Sequence, residues 1–273
     1  MKLLDGRELA GYIKERHAKA VRGLRQAWQI QPKLAIIVTK EDSVINKYVS
    51  LKEKYAADIL VDVEVYRIKQ VMLPEILDEI KKDKSIHGVI VQLPLDDVSQ
   101  TEQLLNIIPP SKDVDGLGNQ ASYDSATATA ISWLLTGYNV ELEGKQIVVN
   151  GNGRLVGAPL AKMWQGSGLN VKVLDSKSFN PELIKQADVI VSATGRPGII
   201  TEDIVAHGAI VVDAGTASES GKIVGDVNDN VYARDDLTIT PKIGGVGPLT
   251  IAALFENVIT AARGTKGRLD EEL

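Results

Sequence analysis

Two rhythms of apolar and polar positions alternate along this chain. Leu9, Tyr12, Ile13, Ala20, Val21 and Leu24 recur at helical steps and predict an amphipathic helix. "LAIIV" (34–38) is an unbroken apolar run of strand length. Asp42 or Ser43 then stands where a helix carrying "KYVSLKEKYAADI" needs an N-cap. "VDVEVYRI" alternates as a strand does, and "PEILDEIKKD" is an amphipathic helix with Pro74 in its first turn. "HGVIVQLPL" is a strand stopped by Pro94. "IIPPSKDVDGLGNQASYDSA" breaks the rhythm with turn formers and marks the exit from a first domain. "TATAISWLLTGYNVELEG" follows as a connecting helix and loop. A second series of strands starts at "KQIVVNG" and continues through "NVKVL", "ADVIVSA", "GAIVVDAG" and "GKIVGDV". "EDIVAHG" reads as a helix closed by Gly208. A last helix, "VGPLTIAALFENVITAAR", follows a further glycine turn. Strands alternating with helices predict two α/β domains with mostly parallel sheets. The predicted boundaries are residues 1–120, a connector at 121–139, and a second domain at 140–240. The helix 246–264 returns to complete the first domain.

Composition narrows the function classes. The chain has 273 residues, enough for two cores. Net charge is −5 with no basic block, which argues against a nucleic-acid face. There is no cysteine, so thiol catalysis and thiolate metal sites are excluded. His17, His87 and His207 lie far apart without ligand spacing, and no metal site is expected. His207 reads as a helix-end residue. No apolar run approaches bilayer-spanning length, and "MKLLDGRELA" does not read as a leader. A cytoplasmic protein with no membrane or nucleic-acid partner is the expectation. The tail "RGTKGRLDEEL" is polar and reads as frayed.

Candidate chemistry begins at "VVNGNGRLVGAPL" (148–160). Gly151, Gly153 and Gly157 follow a strand, and an apolar helix is expected from Leu155. Such a turn can set backbone N–H groups and a helix N-terminus against a pyrophosphate. Glycine turns of this kind also occur with no ligand. Asp175 stands just past the next strand, where a carboxylate accepts hydrogen bonds from the adenosine ribose and repels a 2′-phosphate. A solvated loop aspartate is the plainer alternative. Arg154, in the turn itself, is a candidate phosphate partner.

In the first domain Tyr48 and Lys52 share one face of a predicted helix. A half-buried ring beside a snorkelling amine explains such a pair equally well. Gln92 ends a strand where open α/β sheets place ligands, and Asp115 lies in the loop leaving the domain. Amine, amide, phenol and carboxylate together would suit a polar heterocyclic substrate.

The motifs "LDGRELA", "YVSLKEK", "VQLPL", "KDVDG", "LVGAPLA", "GRPG", "GKIVGDV" and "TPKIGGVGPLTIAALFENV" resemble, in order and spacing, the bifunctional methylenetetrahydrofolate dehydrogenase/methenyltetrahydrofolate cyclohydrolase family. The resemblance covers nearly the whole chain. It implies a folate-binding catalytic domain, a Rossmann-type NAD(P)-binding domain, an active-site cleft between them and a homodimer. It implies oxidation of 5,10-methylenetetrahydrofolate and hydrolysis of the methenyl product to 10-formyltetrahydrofolate. Lys52 matches the catalytic lysine, with Gln92 tuning it, Tyr48 orienting the folate and Asp115 fixing the pterin. Leu93, Gly244, Gly245 and Pro248 would line the substrate side. Gly151, Asn152 and Gly153 match the phosphate turn, Ser176 the adenosine end and Thr216 the nicotinamide side.

The chain departs from that pattern in places. The usual Gly-Arg-Ser is Gly151-Asn152-Gly153, and the usual His-Ser is Asp175-Ser176. Both changes favour NAD over the NADP that the family leads one to expect. A Pro-Cys-Thr-Pro stretch is "SATA", keeping only Thr127, after a short loop, and a usual serine is Ile45. A diverged, non-catalytic folate- or nucleotide-binding paralogue is the alternative these changes raise. An unrelated two-domain dehydrogenase is the third reading.

Overall fold

The computed structural model describes residues 1–219 and 222–265, and the chain folds into two compact units. One contains Gly11–Ala126 and the chain from Ile251 onward; the other contains Met1–Ala10 and Thr127–Thr250. Gly221 of "GKIVGDV" and the tail beyond residue 265 lie outside the described residues.

In the first unit, β2 (Lys33–Val38) lies between β3 (Asp62–Arg67) and β4 (Gly88–Val91), all parallel. The crossovers are α2 (Ser43–Ile59) and α3 (Leu73–Lys82), with short α4 (Thr101–Leu105) beyond β4. Asp42 caps α2: its Oδ1 accepts from the N–H groups of Val44 and Ile45 at 2.8 and 3.2 Å. Leu60 closes α2 in the left-handed region, at φ 64°. Pro74 stands in the first turn of α3 and Lys81 and Lys82 in its last, an order that suits the helix dipole. Ala35, Ile37, Val89 and Val91 of the sheet pack on Leu73, Leu77 and Ile80 of α3 and on Leu104 and Leu105 of α4. After α4 the backbone returns along β4: Val89 N–H donates to the Lys112 carbonyl at 2.7 Å, and Asp113 bridges Val89 in parallel. Gly88 permits that approach, because a Cβ there would meet Val114 Cγ1 at 2.7 Å.

The second unit is built on six parallel strands. They are β1 (Lys2–Leu3), β5 (Ile147–Asn150), β6 (Val171–Leu174), β7 (Val189–Ser192), β8 (Ile210–Asp213) and β11 (Thr238–Ile239). Their order is β1-β11-β8-β7-β5-β6. The helices α5 (Ala126–Gly137), α6 (Gly157–Gly166) and α7 (Pro181–Lys185) belong to this part of the chain. A separate antiparallel pair joins β9 (Ala217–Glu219) to β10 (Lys222–Val224). The strand order reverses direction at β5, which has β6 on one side and β7 on the other. Open α/β sheets bind ligands at the carboxyl end of such a switch point, and the glycine turn follows β5 directly. α1 (Gly6–Trp28), α5 and α8 (Val246–Arg263) are the segments in which the chain passes from one unit to the other.

Two local expectations are corrected. "EDIVAHG" forms a single 3₁₀ turn, Glu202–Ile204, and no helix. The guanidinium of Arg234 donates to the carbonyls of Glu202, Val205 and Ala206, at 3.4, 2.6 and 3.1 Å, so they are satisfied without a continuing helix. His207 is therefore a loop residue with its ring exposed. The helix expected from Leu155 starts two residues later, at Gly157.

Candidate functional sites

In the first unit the backbone brings three candidate groups together. Gln92 follows β4, its N–H bonded to the Ile37 carbonyl at 2.8 Å. Asp115 follows the segment that runs beside β4, and Lys52 lies in the middle of α2. Lys52 Nζ donates to Gln92 Oε1 at 2.8 Å. Gln92 Nε2 donates onward to the Leu93 carbonyl at 3.2 Å, which fixes the amide with its oxygen toward the amine. Burial holds the Lys52 ammonium below the usual lysine range, and the Asp115 carboxylate opposes that by favouring the charged amine. Burial pushes Asp115 up to about 6, Lys52 pulls it down, and Asp113 raises it further. An amine eased toward neutrality, beside a carboxyl that titrates near 6, can hold and move protons near neutral pH. Tyr48 lies one helical turn before Lys52, half-buried, with its phenol pushed up by burial.

The Asp115 loop has its own support. Asp113 is 1% exposed and accepts from the N–H groups of Gly116 and Gly118 at 3.1 and 2.7 Å. Gly116 takes φ +69°, and a Cβ there would press on the backbone of Asp124 and Ser125 at 2.7 Å. Asn257 of α8 donates to the carbonyls of Val114 and Asp124 at 2.9 and 3.1 Å. The sequence reading did not single out Asp113, although its place two residues before Asp115 in "KDVDG" is a turn signal.

The second unit carries the glycine cradle. Gly151 has φ +114°, and a Cβ at 151 would crowd the Ala193 carbonyl oxygen at 2.5 Å. A Cβ at Gly157, the first residue of α6, would collide with the Gly151 carbonyl. Glycine at both positions lets the turn and the helix close on each other. Beside this turn is a cavity of about 350 Å³ lined in part by Asn152, Gly153, Asp175 and Ser176. Phe179, Thr194, Arg196 and Ile199 also line it, and the sequence reading missed them as site residues. The signal for Thr194, Arg196 and Ile199 was the end of strand β7 and the "GRPG" turn; Phe179 had none. Arg154 and Thr216 are not among the lining residues.

Asp175 is exposed, and its Oδ1 accepts from Lys177 N–H, Ser178 N–H and Ser178 Oγ at 2.8 to 2.9 Å. Those bonds, that of the Ser178 hydroxyl first, hold its carboxyl below the usual range, so it carries full charge at neutral pH. They build the 175–178 turn and leave Oδ2 outside it. Gly244, Gly245 and Pro248 also belong to this unit. Gly244 has φ +95° and its carbonyl accepts from Gly6 N–H at 2.8 Å. Among the described residues no cluster has the composition of a metal site, and no helix is long and apolar enough to cross a membrane.

A two-unit α/β protein with a nucleotide-type glycine turn and a buried amine–amide–carboxyl cluster is the class that fold and sites define. Comparison with known proteins makes the class specific. Residues 4–115 match the catalytic domain of tetrahydrofolate dehydrogenase/cyclohydrolase, and residues 125–266 match its NAD(P)-binding domain. The chain belongs to the tetrahydrofolate dehydrogenase/cyclohydrolase family. It is 36% identical to the bifunctional protein FolD of Thermodesulfovibrio yellowstonii over 276 residues, covering 96% of each chain. The crystal structure of the bifunctional FolD from Campylobacter jejuni superposes with a TM-score of 0.90 at 36% identity, covering 97% of this chain and 99% of that one. The enzyme from Trypanosoma brucei, complexed with NADP and an inhibitor, gives 0.89 at 29% identity over 96% and 97%. The expected family and fold are thereby borne out.

Proposed function

We propose that this enzyme oxidises 5,10-methylenetetrahydrofolate with NAD(P)+ and hydrolyses the methenyl product to 10-formyltetrahydrofolate. The observation that carries the proposal is the Lys52–Gln92 hydrogen bond beside Asp115. Lys52 is the catalytic group. Desolvation makes its amine a proton acceptor, and the Gln92 oxygen keeps Nζ in one place through both protonation states. Asp115, held by the loop that Asp113 caps, binds the pterin. Tyr48 orients the folate, while Leu93, Gly244, Gly245 and Pro248 shape the substrate side. The retained cluster disfavours a non-catalytic paralogue.

The glycine cradle fits a dinucleotide. Gly151, Asn152 and Gly153 would present backbone to the pyrophosphate, with Arg154 near it. Asp175 and Ser176 would hold the adenosine ribose, and Thr216 would stand on the nicotinamide side. When bound, the nicotinamide accepts the hydride; the protein supplies position and dryness. NAD is the preferred form. Asp175 is fully charged at neutral pH, and Asn152-Gly153 offers no guanidinium where the family has one. We assign residues 1–120, with helix 246–264, to folate binding and 140–240 to the cofactor. A cytoplasmic homodimer is the working form.

The test follows methenyltetrahydrofolate formation by absorbance with each cofactor. Turnover with a higher kcat/KM for NAD+ is expected, and Asp175→Ser should move the ratio toward NADP+. No turnover despite folate binding would sink the catalytic reading, and an unmoved ratio would remove Asp175 from the specificity account.

A further inference from the structure

A buried carboxyl outside the reacting cluster holds part of the cavity wall in the second unit. Asp226 is fully buried. Its Oδ2 accepts three hydrogen bonds, from Ser192 Oγ at 2.7 Å, Thr194 N–H at 2.6 Å and Thr194 Oγ1 at 2.9 Å. Ser192 Oγ accepts from Asn150 Nδ2 at 3.2 Å, one residue before the glycine turn. Thr194 Oγ1 accepts from Arg196 N–H at 3.1 Å. Asp226 Oδ1 has no hydrogen-bond partner among the described residues. It rests against Gly215, where a Cβ would collide with it. A carboxyl with one oxygen unpartnered is costly to bury. Here that cost is carried where the ends of β5 and β7 meet the loop that leads to Arg196.

What this network presents is a cation. Among the described residues, Arg196 is the one basic residue lining the cavity and Asp175 the one acidic residue. The Arg196 side chain is exposed, while its backbone is held at both ends: its N–H donates to Thr194 Oγ1 at 3.1 Å and its carbonyl accepts from Ile199 N–H at 3.4 Å. A guanidinium is planar and weakly hydrated, and it stacks on flat rings. Phe179 and Ile199 give the same cavity two apolar surfaces. A ribose at Asp175 and Ser176 places its attached base among these three side chains.

We infer that Arg196 is the adenine-stacking residue of the dinucleotide site, and that Asp226 is the positioning residue that presents it. The inference rests on the reading of the second unit as a dinucleotide site. It adds a base contact that tells neither NAD from NADP nor substrate from substrate.

Calorimetric titration with ADP-ribose, which carries the adenosine half and no nicotinamide, tests it on the full-length enzyme. Arg196→Ala should weaken binding about threefold to thirtyfold, and by the same factor for 2′-phospho-ADP-ribose. Asp226→Ala should weaken it similarly. Asp226→Asn should restore it, because the amide oxygen can still take all three donors. Thr194→Val, which removes the hydroxyl under Arg196, gives the same loss by a second route if Asp226→Ala fails to fold. Unchanged ADP-ribose affinity in Arg196→Ala would overturn the inference. So would a loss confined to the 2′-phosphorylated ligand, which would make Arg196 a phosphate partner. A wild-type enzyme that binds neither ligand would overturn the dinucleotide reading itself, and this inference with it.

Discussion

At the scale of the residue, the Lys52 amine is governed by three neighbours acting in different directions. Burial lowers its pKa, the Asp115 charge raises it, and the Gln92 oxygen fixes its place. Lys52→Met keeps length and packing and removes the proton acceptor. It should abolish methenyl hydrolysis while hydride transfer falls less; equal loss in both assays would make Lys52 a substrate-positioning group. Asp115→Asn removes the charge that favours the ammonium, so the Lys52 pKa should drop further. The acid limb of the hydrolysis pH profile, where the amine becomes neutral, should then move to lower pH. A limb that stays in place or moves up would separate Asp115 from the titration of Lys52. Much of this chemistry was legible in the sequence. Tyr48 and Lys52 are one turn apart, and Gln92 ends a strand. The supports were not legible. Asp113 and Asp226 act through hydrogen bonds spanning 34 residues or fewer of chain, Arg196 is set in place through its backbone N–H, and no periodicity marks them. Their contacts follow from which strand ends meet.

At the scale of the element, α1, α2 and α8 of the first unit are joined by a polar staple. His17 of α1 is 1% exposed. Its Nδ1 meets the Tyr55 hydroxyl of α2 at 3.0 Å, and its Nε2 meets Glu256 Oε2 of α8 at 2.9 Å. Arg16 adds an ion pair to the same oxygen at 2.6 Å, and Tyr55 stacks on Phe255 with centroids 5.1 Å apart. The hydrogen bond from His17, with the charge of Arg16 beside it, holds Glu256 down to about 2. A depressed carboxyl stabilises the fold above its unfolded pKa, and that contribution fades as pH falls through the folded value. Glu256→Gln should therefore lower stability at pH 7 by on the order of 1–2 kcal/mol, allowing for partial solvent screening. Chemical denaturation should show the gap closing between about pH 4.5 and 2; a gap that is constant across that window would assign the effect to packing. The helices themselves were readable from periodicity. Their polar fastening was not, because His17, Tyr55 and Glu256 are scattered over 240 residues and each alone looks like a surface residue.

At the scale of the whole molecule, sequence rhythm gave two α/β units and left out how the ends of the chain are used. Lys2 and Leu3 form the edge strand β1, paired with Thr238 and Ile239. Leu4 is fully buried beyond it, its N–H bonded to the Ile239 carbonyl at 2.8 Å. A two-residue strand is too short for any pattern to announce, and its partner lies most of the chain away. Leu4→Ala should cost about 2–5 kcal/mol, measured by denaturation. ADP-ribose should recover part of that loss by binding only the folded form. No recovery would detach this edge from the ligand-binding unit.

The pairing of β1 with β11 also has a consequence for synthesis on the ribosome. β1 waits for a partner made after every other strand of its sheet, so the six-stranded sheet cannot be completed until β11 has emerged. The three-stranded sheet lies wholly between residues 33 and 91. Its pairings can form early, during translation, while the first ten residues remain unclaimed. Assembly order is thus written into the threading: the three-stranded sheet can pair first, the six-stranded sheet closes when β11 arrives, and α8 completes the amine-bearing unit after it.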